Sequence, residues 1–293
     1  MKPAPFKYLA ADSVDAAIAF KAEYGDEAKF LAGGQSVMPA MNLRLAQPAV
    51  LIDSNPIAAL AYVKQEGSIT RIGALTRYRA LERDASIALA QPLMTAALPH
   101  IAHFQIRNRT TIGGNLAHAD PASEMPAVVL ALNGRMHLQS TKGTRVVPVA
   151  EFFAGTLTTA LAATEMLVEI ELPIARAGTG VAFLELSRRP GDFAMMGVAA
   201  TVQLDQQGIC RDARLAYCNA GDVPLLAMQA AQSLLGERAS EDRMRDAGAI
   251  AQTEIRPLGN VHATPAFQKH LAGVLTRRVL TIAFERARAG DRA

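Results

Sequence analysis

Two pairs of adjacent glycines constrain the fold of this chain more than any other feature of its sequence. The first lies in AGGQS at residues 32–36 and the second in TIGGN at residues 111–115, each directly after an apolar residue and before a polar one. Glycine loses more conformational entropy on folding than other residues, so such a pair indicates a tight turn or a close approach to the backbone. We therefore interpret both segments as loops that turn the chain or contact a ligand.

If the glycine segments contact a ligand, their backbone predicts a ligand with phosphate groups. Backbone N–H groups that a glycine turn leaves free are fixed donors, and a Cα without a side chain lets a phosphate oxygen approach them. Two such segments predict a clamp on a pyrophosphate, flanked by the polar side chains of Gln35, Ser36, Thr111 and Asn115. Neither segment fits G-x-G-x-x-G or G-x-x-x-x-G-K-[ST], which disfavours a Rossmann fold and a P-loop. Taken alone, each pair is more simply explained as a structural turn.

Composition and charge argue against several classes of protein. The 293 residues are 50% hydrophobic with a net charge of +3, which is enough apolar material for a large core in more than one domain. The basic residues are dispersed without interleaved aromatic residues, which argues against nucleic acid binding. The N-terminal segment lacks the apolar run of a secretory signal, and no run has the length of a membrane span. We therefore expect a cytoplasmic protein without an integral membrane segment.

Metal sites are not predicted in this chain. Its two cysteines, Cys210 and Cys218, do not have the spacing of zinc or iron–sulfur ligands, so any iron–sulfur cluster would belong to another chain. His100 and His103 would share one face of a helix, but no nearby side chain completes a ligand set. Buried free thiols and ordinary histidines are the simpler interpretation.

Hydrophobic periodicity predicts an α+β fold. Helices are predicted over residues 12–25, over 80–102 with breaks at Pro92 and Pro99, and over 224–236, 240–255 and 265–289. Strands are predicted over residues 28–34, 49–54, 68–76, 135–140, 144–152, 166–173, 181–189, 197–205 and 213–221. The segment AGTG at 177–180 is predicted to be a linker, which places a domain boundary near residue 177. The C-terminal domain is then a three-stranded antiparallel sheet with helices on one face.

Three segments together resemble one family of flavoproteins. They are AGGQS at 32–36, QIRNRTTIGGNLAHADPASEMPAVVLAL at 105–132 and LSRRPGDFAMMGVA at 186–199. In order and spacing they resemble the FAD-binding medium subunit of the molybdenum hydroxylases, which include carbon monoxide dehydrogenase and xanthine dehydrogenase. The resemblance covers nearly the whole chain. It implies a two-part, non-Rossmann FAD-binding domain of the vanillyl-alcohol-oxidase (PCMH) type over residues 1–177, with subdomains of about 1–57 and 58–177, and a smaller α+β domain over 178–293.

The resemblance also implies a function and partners. FAD on this chain would take electrons from [2Fe–2S] clusters on a small iron–sulfur subunit and deliver them to an external acceptor. A large molybdopterin subunit would bind the substrate, and a dimer of heterotrimers is the expected assembly. No side chain of this chain is then required as a catalytic residue. The substrate, whether carbon monoxide, a purine, an aldehyde or an N-heterocycle, stays open, and so does the acceptor, whether NAD, oxygen or a quinone.

Residues that match the family's motifs are predicted to bind FAD. Backbone N–H groups and the Ser36 hydroxyl would contact the pyrophosphate, Glu124 and Asp120 the ribityl or ribose hydroxyls, and Ile101 and Met166 the adenine, while Leu184 and Phe193 would line the flavin. The first glycine segment contributes Lys29, Phe30, Leu31, Ala32, Gly33, Gly34, Gln35 and Ser36, and the second contributes Thr111, Ile112, Gly113, Gly114 and Asn115.

Several of these residues have a simpler structural explanation. Glu124 would also suit the first turn of the apolar helix that follows it, where the helix dipole favours negative charge. Ile101 and Met166 are equally typical of a core, and Phe193 of a turn. Leu184 departs from relatives that have a lysine there, which would change the flavin potential or its reaction partner.

Two other functions also remain: a self-contained FAD oxidoreductase acting directly on a small substrate, and a non-catalytic module for FAD loading or assembly.

Overall fold

The computed structural model describes residues 2–290, which form three sheet-based units in sequence order. Met1 and residues 291–293, at the ends of the predicted domains, lie outside the described residues. Mixed α+β architecture is confirmed. None of the helices between residues 2 and 290 combines the length and apolar character needed to cross a bilayer.

The N-terminal unit is a small parallel sheet with one covering helix. The order of its strands is β1–β3–β2, and both strand pairs are parallel. Ser13 Oγ accepts a hydrogen bond from the Ala16 N–H, and Gly25 at φ +50° ends the helix, as the sequence predicts for a helix over residues 12–25. The elements are β1 (Lys7–Ala10), α1 (Val14–Tyr24), β2 (Ala28–Leu31), α2 (Val37–Asn42) and β3 (Val50–Asp53).

The second unit is a five-stranded antiparallel sheet covered by short helices. Its order is β4–β5–β10–β6–β7. Helix breaks at Pro92 and Pro99 are confirmed, since Pro92 begins α5 and Pro99 lies in the 3-10 turn that follows it. The elements are β4 (Val63–Glu66), β5 (Ile69–Gly73), α3 (Tyr78–Arg83), α4 (Ala85–Ala90), α5 (Pro92–Ala97), α6 (Phe104–Arg107), α7 (Ile112–His118), α8 (Glu124–Ala131), β6 (Arg135–Ser140), β7 (Gly143–Pro148), α9 (Val149–Phe152), β8 (Phe153–Gly155), β9 (Thr158–Thr159) and β10 (Met166–Pro173).

In the C-terminal unit, one long helix packs on an antiparallel sheet and a second long helix packs against the first. The sheet has four strands in the order β11–β12–β13–β14, so the prediction of three strands is wrong. The elements are β11 (Thr179–Ser187), β12 (Ala194–Leu204), β13 (Cys210–Cys218), β14 (Leu225–Leu226), α10 (Met228–Gln232), α11 (Glu241–Glu254) and α12 (Pro265–Ala289).

Four sequence predictions about local structure need correction. The strand over residues 144–152 is wrong at its end, because β7 stops at Pro148 and Val149–Phe152 form α9. The helix over residues 224–236 is wrong at its start, where Leu225 and Leu226 pair with β13 as an edge strand. The linker over residues 177–180 is too long, because β11 already begins at Thr179. The second glycine pair does not lie in a loop, since Gly113 and Gly114 belong to the first turn of α7.

One buried cluster joins the second and third units. It includes residues of α8 together with Phe183, Ala199 and Cys218 of the C-terminal sheet. All eight residues of α8 are buried, and the Arg214 guanidinium of β13 donates hydrogen bonds to the Leu130 and Ala131 carbonyls at the end of that helix, at 3.0 and 2.8 Å. The core is therefore continuous across residue 177, and the domain boundary placed there stays a prediction.

Candidate cofactor site

The first glycine segment follows β2 at the carboxyl edge of the parallel sheet. A Cβ on Gly33 would lie 2.6 Å from the Arg109 carbonyl oxygen and 2.9 Å from the Thr110 Cα, so only glycine permits this contact. Gly34 has φ +76°, in the region that favours glycine. Among the described residues, the backbone N–H groups of Gly33, Gly34, Gln35 and Ser36 have no acceptor from the protein. They are the free donors that the sequence predicts.

The second glycine segment lies against the first. A Cβ on Gly114 would lie 3.5 Å from the Ala32 Cβ, and the missing Cβ of Gly113 makes room for the Ala74 backbone. Thr111 Oγ1 caps α7 by accepting the Gly114 N–H at 3.1 Å. The structure thus brings the two predicted segments together, although the Gly114 N–H is already bonded to the protein.

Asn115 connects the second glycine segment to the start of α8. Its side-chain oxygen accepts a hydrogen bond from the Tyr78 hydroxyl at 2.6 Å, and its amide donates to Ser123 Oγ at 2.8 Å. Tyr78 is fully buried, and burial raises the pKa of its hydroxyl. Asp120 accepts the Ala122 N–H at 2.9 Å. The Asn115 side chain therefore holds the site together, whereas one Asp120 oxygen stays available.

Glu124 begins α8 and is only 3% exposed. Burial, together with the negative charges of Glu185 and Asp120, raises the pKa of Glu124 to about 8. The Glu185 side chain of β11 is also only 3% exposed. Its Oε1 lies 3.7 Å from His100 Nδ1, while its Oε2 has no hydrogen-bond partner in the described part of the chain. Two buried carboxylates thus occur side by side.

Sequence reasoning named Glu124 but missed Glu185. Glu185 lies on the same face of β11 as Val181 and Phe183, which belong to the cluster shared with α8. The period-2 pattern of the strand was the available signal, because it assigns Glu185 to the face that packs on the FAD-binding domain. Leu184, the residue that was named, packs instead against the cluster of the C-terminal helices.

The remaining predicted residues are dispersed. Ile101 is buried in the cluster that contains Phe183, whereas Met166 belongs to the cluster of the N-terminal unit. The two residues predicted to flank the adenine therefore belong to different clusters. Phe193 is 64% exposed, just before β12. Gly191, at φ +86°, packs against the His103 ring, which would lie 2.5 Å from a Cβ there.

Two open cavities lie near these residues. One, of about 520 Å³, adjoins the first glycine segment and is lined by Tyr8, Leu31, Gly33, Gly34, Gln35, Met38, Pro39, Asn42, Asp53, Asn55 and Arg109. The other, of about 530 Å³, lies beside the connection from β11 to β12 and is lined by Pro99, Ala102, His103, Phe104, Gln105, Arg107, Pro190 and Gly191. No cluster of potential metal ligands occurs within residues 2–290.

The site fits a dinucleotide. Free N–H donors on bare backbone suit a pyrophosphate, and buried carboxylates with an unpaired oxygen suit the hydroxyl groups of a sugar or sugar alcohol. Both features occur on connected segments, since Thr111 to Asn115 links the first glycine segment to the Ser123 that precedes Glu124. FAD has both kinds of group, so the residues present fit it.

Comparison with known proteins agrees with this fit. The family model described as the FAD binding domain in molybdopterin dehydrogenase matches residues 4–175, and that of the CO dehydrogenase flavoprotein C-terminal domain matches residues 181–283. The chain is 38% identical to subunit alpha of the 6-hydroxypseudooxynicotine dehydrogenase complex of Paenarthrobacter nicotinovorans, covering 98% of this chain and 97% of that one. It is 35% identical to the carbon monoxide dehydrogenase medium chain of Hydrogenophaga pseudoflava, with coverage of 98% and 99%.

A solved structure extends the agreement to the fold. Carbon monoxide dehydrogenase from Hydrogenophaga pseudoflava, in a form that lacks the Mo-pyranopterin moiety of its molybdenum cofactor, superposes with a TM-score of 0.95 at 37% identity, covering 98% of this chain and 99% of that chain. The fold and the site define an FAD-binding domain with a flavoprotein C-terminal domain. The chain belongs to the FAD-binding medium subunits of the molybdenum hydroxylases, and it is one subunit of an oxidoreductase complex.

Proposed function

We propose that this chain binds FAD between its two glycine segments and carries electrons between an iron–sulfur subunit and an external acceptor. The observation that carries the proposal is the row of unpaired backbone N–H groups at Gly33 to Ser36, held against the start of α7. FAD supplies the redox chemistry, because it exchanges electrons singly or in pairs. The chain's own residues bind and orient the cofactor.

Individual residues take distinct parts in this proposal. The backbone from Lys29 to Ser36 binds the pyrophosphate, with the segment from Thr111 to Asn115 as the opposite wall. Glu124 binds hydroxyl groups of the cofactor, and Asp120 assists it. Asn115 and Tyr78 position α7 through their buried hydrogen bond.

The proposal also includes residues that would face the flavin and the adenine. Phe193 is exposed and free to cover the flavin, whereas Leu184 packs away from the FAD-binding domain. Ile101 and Met166 belong to separate clusters, so each would contact the adenine from its own unit. No acid–base group is required of any of them.

The proposed partners follow from the family. A small subunit with [2Fe–2S] clusters and a large subunit with molybdopterin would complete the complex, as a dimer of heterotrimers. The two relatives above, a complex subunit alpha and a medium chain, support an assembly of several chains. We also propose a cytoplasmic location, which the free thiols of Cys210 and Cys218 support.

Mild affinity purification of the chain from its native cells tests this function. Flavin, iron and molybdenum are then quantified in the purified material and in a sample cross-linked before lysis. All three together, with co-purifying small and large subunits, are expected. Flavin without either metal in both samples would favour the self-contained oxidoreductase, and a chain without flavin would contradict the proposal altogether.

A further inference from the structure

We propose that Glu185 is a second acidic residue of the FAD site, and that its carboxylate, opposite Glu124, accepts hydrogen bonds from the ribityl hydroxyls of the cofactor. This inference rests on the proposed function and deepens it, because it adds a residue of the C-terminal unit to the hydroxyl-binding part of the site, which otherwise consists of Glu124 and Asp120.

The position of Glu185 on its strand directs it to that site. Glu185 lies opposite Gly197 in the pairing of β11 with β12. A Cβ on Gly197 would lie 2.5 Å from Cys218 Sγ, so glycine makes room for that thiol, while the distance of 3.5 Å to the Glu185 Cβ would be an ordinary contact. With Val181 and Phe183, Glu185 belongs to the strand face that packs on the second unit, where β11 contacts α5 and the neighbouring strands contact α8.

No lysine or arginine in the described part of the chain balances the charge of Glu185. The titratable groups that face it are Glu124 from α8, His100 from the 3-10 turn after α5, and Cys218 from β13. His100 is the single cationic candidate, at 3.7 Å from Oε1. No lysine or arginine in the described part of the chain forms a salt bridge with either carboxylate. Glu124 and Glu185 both raise the pKa of the Cys218 thiol, after burial itself, which places all three groups together.

An uncompensated buried carboxylate is costly, and an unpaired acceptor oxygen adds to that cost. The chain keeps Glu185 buried with Oε2 unpaired, so donors from outside the chain are the expected compensation. A ribityl chain offers successive hydroxyl donors, and hydrogen bonds from hydroxyl groups to a carboxylate are among the stronger ones. Two neighbouring acidic side chains, Glu124 and Glu185, match such a row of hydroxyls.

The site is continuous with the proposed pyrophosphate clamp. Glu124 directly follows Ser123, whose hydroxyl is bonded to Asn115 in the second glycine segment. FAD bound at Gly33 to Ser36 by its pyrophosphate would extend its ribityl chain past Asn115 toward the carboxylate pair. The adenosine half of FAD lies on the other side of the pyrophosphate from the ribityl chain. ADP contains only that half, so comparing FAD binding with ADP binding tests the proposal.

Two variants, Glu185→Leu and Glu185→Gln, test the proposal. It predicts that Glu185→Leu raises the folding stability of the flavin-free chain but lowers its affinity for FAD. In the flavin-free chain, Glu185→Leu removes a buried unpaired carboxylate, so the denaturant midpoint of unfolding should rise. In the material purified with its partner subunits, the same variant should bind FAD at least tenfold more weakly, with ADP binding unchanged because ADP has no ribityl chain. Glu185→Gln keeps an acceptor oxygen and should lose less FAD affinity than Glu185→Leu.

The matched control is Glu171→Leu. Glu171 is also buried, but Arg71, Arg135 and His137 pair with it on the outer face of the five-stranded sheet. This control should lower the unfolding midpoint and leave FAD affinity unchanged.

Unaltered FAD affinity in Glu185→Leu would overturn the role of Glu185 while the proposed function stands. Joint loss of folding stability and of both FAD and ADP binding would also overturn it, as a structural role. Failure of the unaltered protein to bind FAD would overturn both proposals.

Discussion

Gly33 is the residue on which contact between the two glycine segments depends. A methyl group there would lie 2.6 Å from the Arg109 carbonyl oxygen. From the sequence, we explain the bare Cα by the approach of a phosphate oxygen, whereas the structure shows that a side chain would also clash with the chain's own backbone. The free N–H groups would therefore move because the two segments separate.

Gly33→Ala should lower flavin content and folding stability together. We expect about 1–3 kcal/mol of destabilisation, typical of overpacking, from urea unfolding of the flavin-free chain. Gly67→Ala is the control, because Gly67 has φ +60° and no neighbour within 4 Å of its missing Cβ. It should lose about 1–2 kcal/mol through backbone strain alone and keep its flavin. Full flavin content in Gly33→Ala would contradict the two-segment clamp.

Glu124 should make the stability of the flavin-free chain depend on pH. Its pKa is about 8 in the folded chain, against an ordinary value of 4.5. Between these values the folded chain holds a proton that the unfolded chain has released, so stability falls as pH rises, by up to about 1.4 kcal/mol per pH unit. Below pH 4.5 the penalty is absent, and above pH 8 it is constant.

Urea unfolding between pH 5 and 9 should therefore separate Glu124→Gln from the unaltered chain. The variant lacks this ionisation, so its advantage in unfolding free energy should grow up to about pH 8 and then stay constant. Parallel stability curves across the range would show that Glu124 ionises freely in the folded chain.

At the scale of elements, local signals predicted some boundaries and missed others. Helix α12 spans Pro265–Ala289, as predicted, because Thr264 caps its first turn and Gly290 ends it in a left-handed conformation. Leu225 and Leu226 were assigned to a helix, since two leucines before an alanine-rich segment fit helical periodicity. Their pairing with Ala216 and Tyr217 is a tertiary contact that local pattern does not contain.

Helix α12 packs on β11 through a contact that only glycine allows. A Cβ on Gly180 would lie 1.9 Å from the Ala283 carbonyl oxygen and 2.4 Å from the Ala287 backbone nitrogen. Gly180→Ala should therefore separate helix from strand and cost about 3 kcal/mol or more, since backbone atoms cannot move aside as a side chain can. Gly208→Ala, in the open turn after β12, should cost less. Equal unfolding midpoints for the two variants would contradict the close approach.

Across the whole molecule, hydrophobic periodicity predicted the class of fold and the resemblance of three segments implied the cofactor, but neither predicted how the two domains pack together. Periodicity identifies which residues of α8 and of the C-terminal sheet are apolar, but not that the helix packs on β12 and β13 of that sheet. The shared cluster includes Val128 and Phe183, and Arg214 reaches the carbonyls at the end of α8. Glu185 was missed for the same reason, because its partners lie on other elements.

A chain truncated after residue 177 should consequently not fold as a stable unit. Truncation would expose the face of α8 that packs on β12 and β13 and would leave the Leu130 and Ala131 carbonyls without Arg214. We expect aggregation or a non-cooperative urea transition, measured by circular dichroism against the full-length chain. A cooperative transition with bound flavin would show that residues 1–177 form an autonomous domain.

The shared core also restricts how this subunit can diversify. If halves of two relatives were recombined near residue 177, the apolar side chains of one parent's α8 would meet a sheet shaped by the other parent, together with a mismatched partner for Arg214. Such chimaeras would inherit packing defects at the centre of the molecule. A change of electron acceptor or of partner subunits is then easier through substitutions in surface segments, such as residues 188–193, than through exchange of halves. The FAD-binding domain and the C-terminal domain should therefore evolve as a single inherited unit.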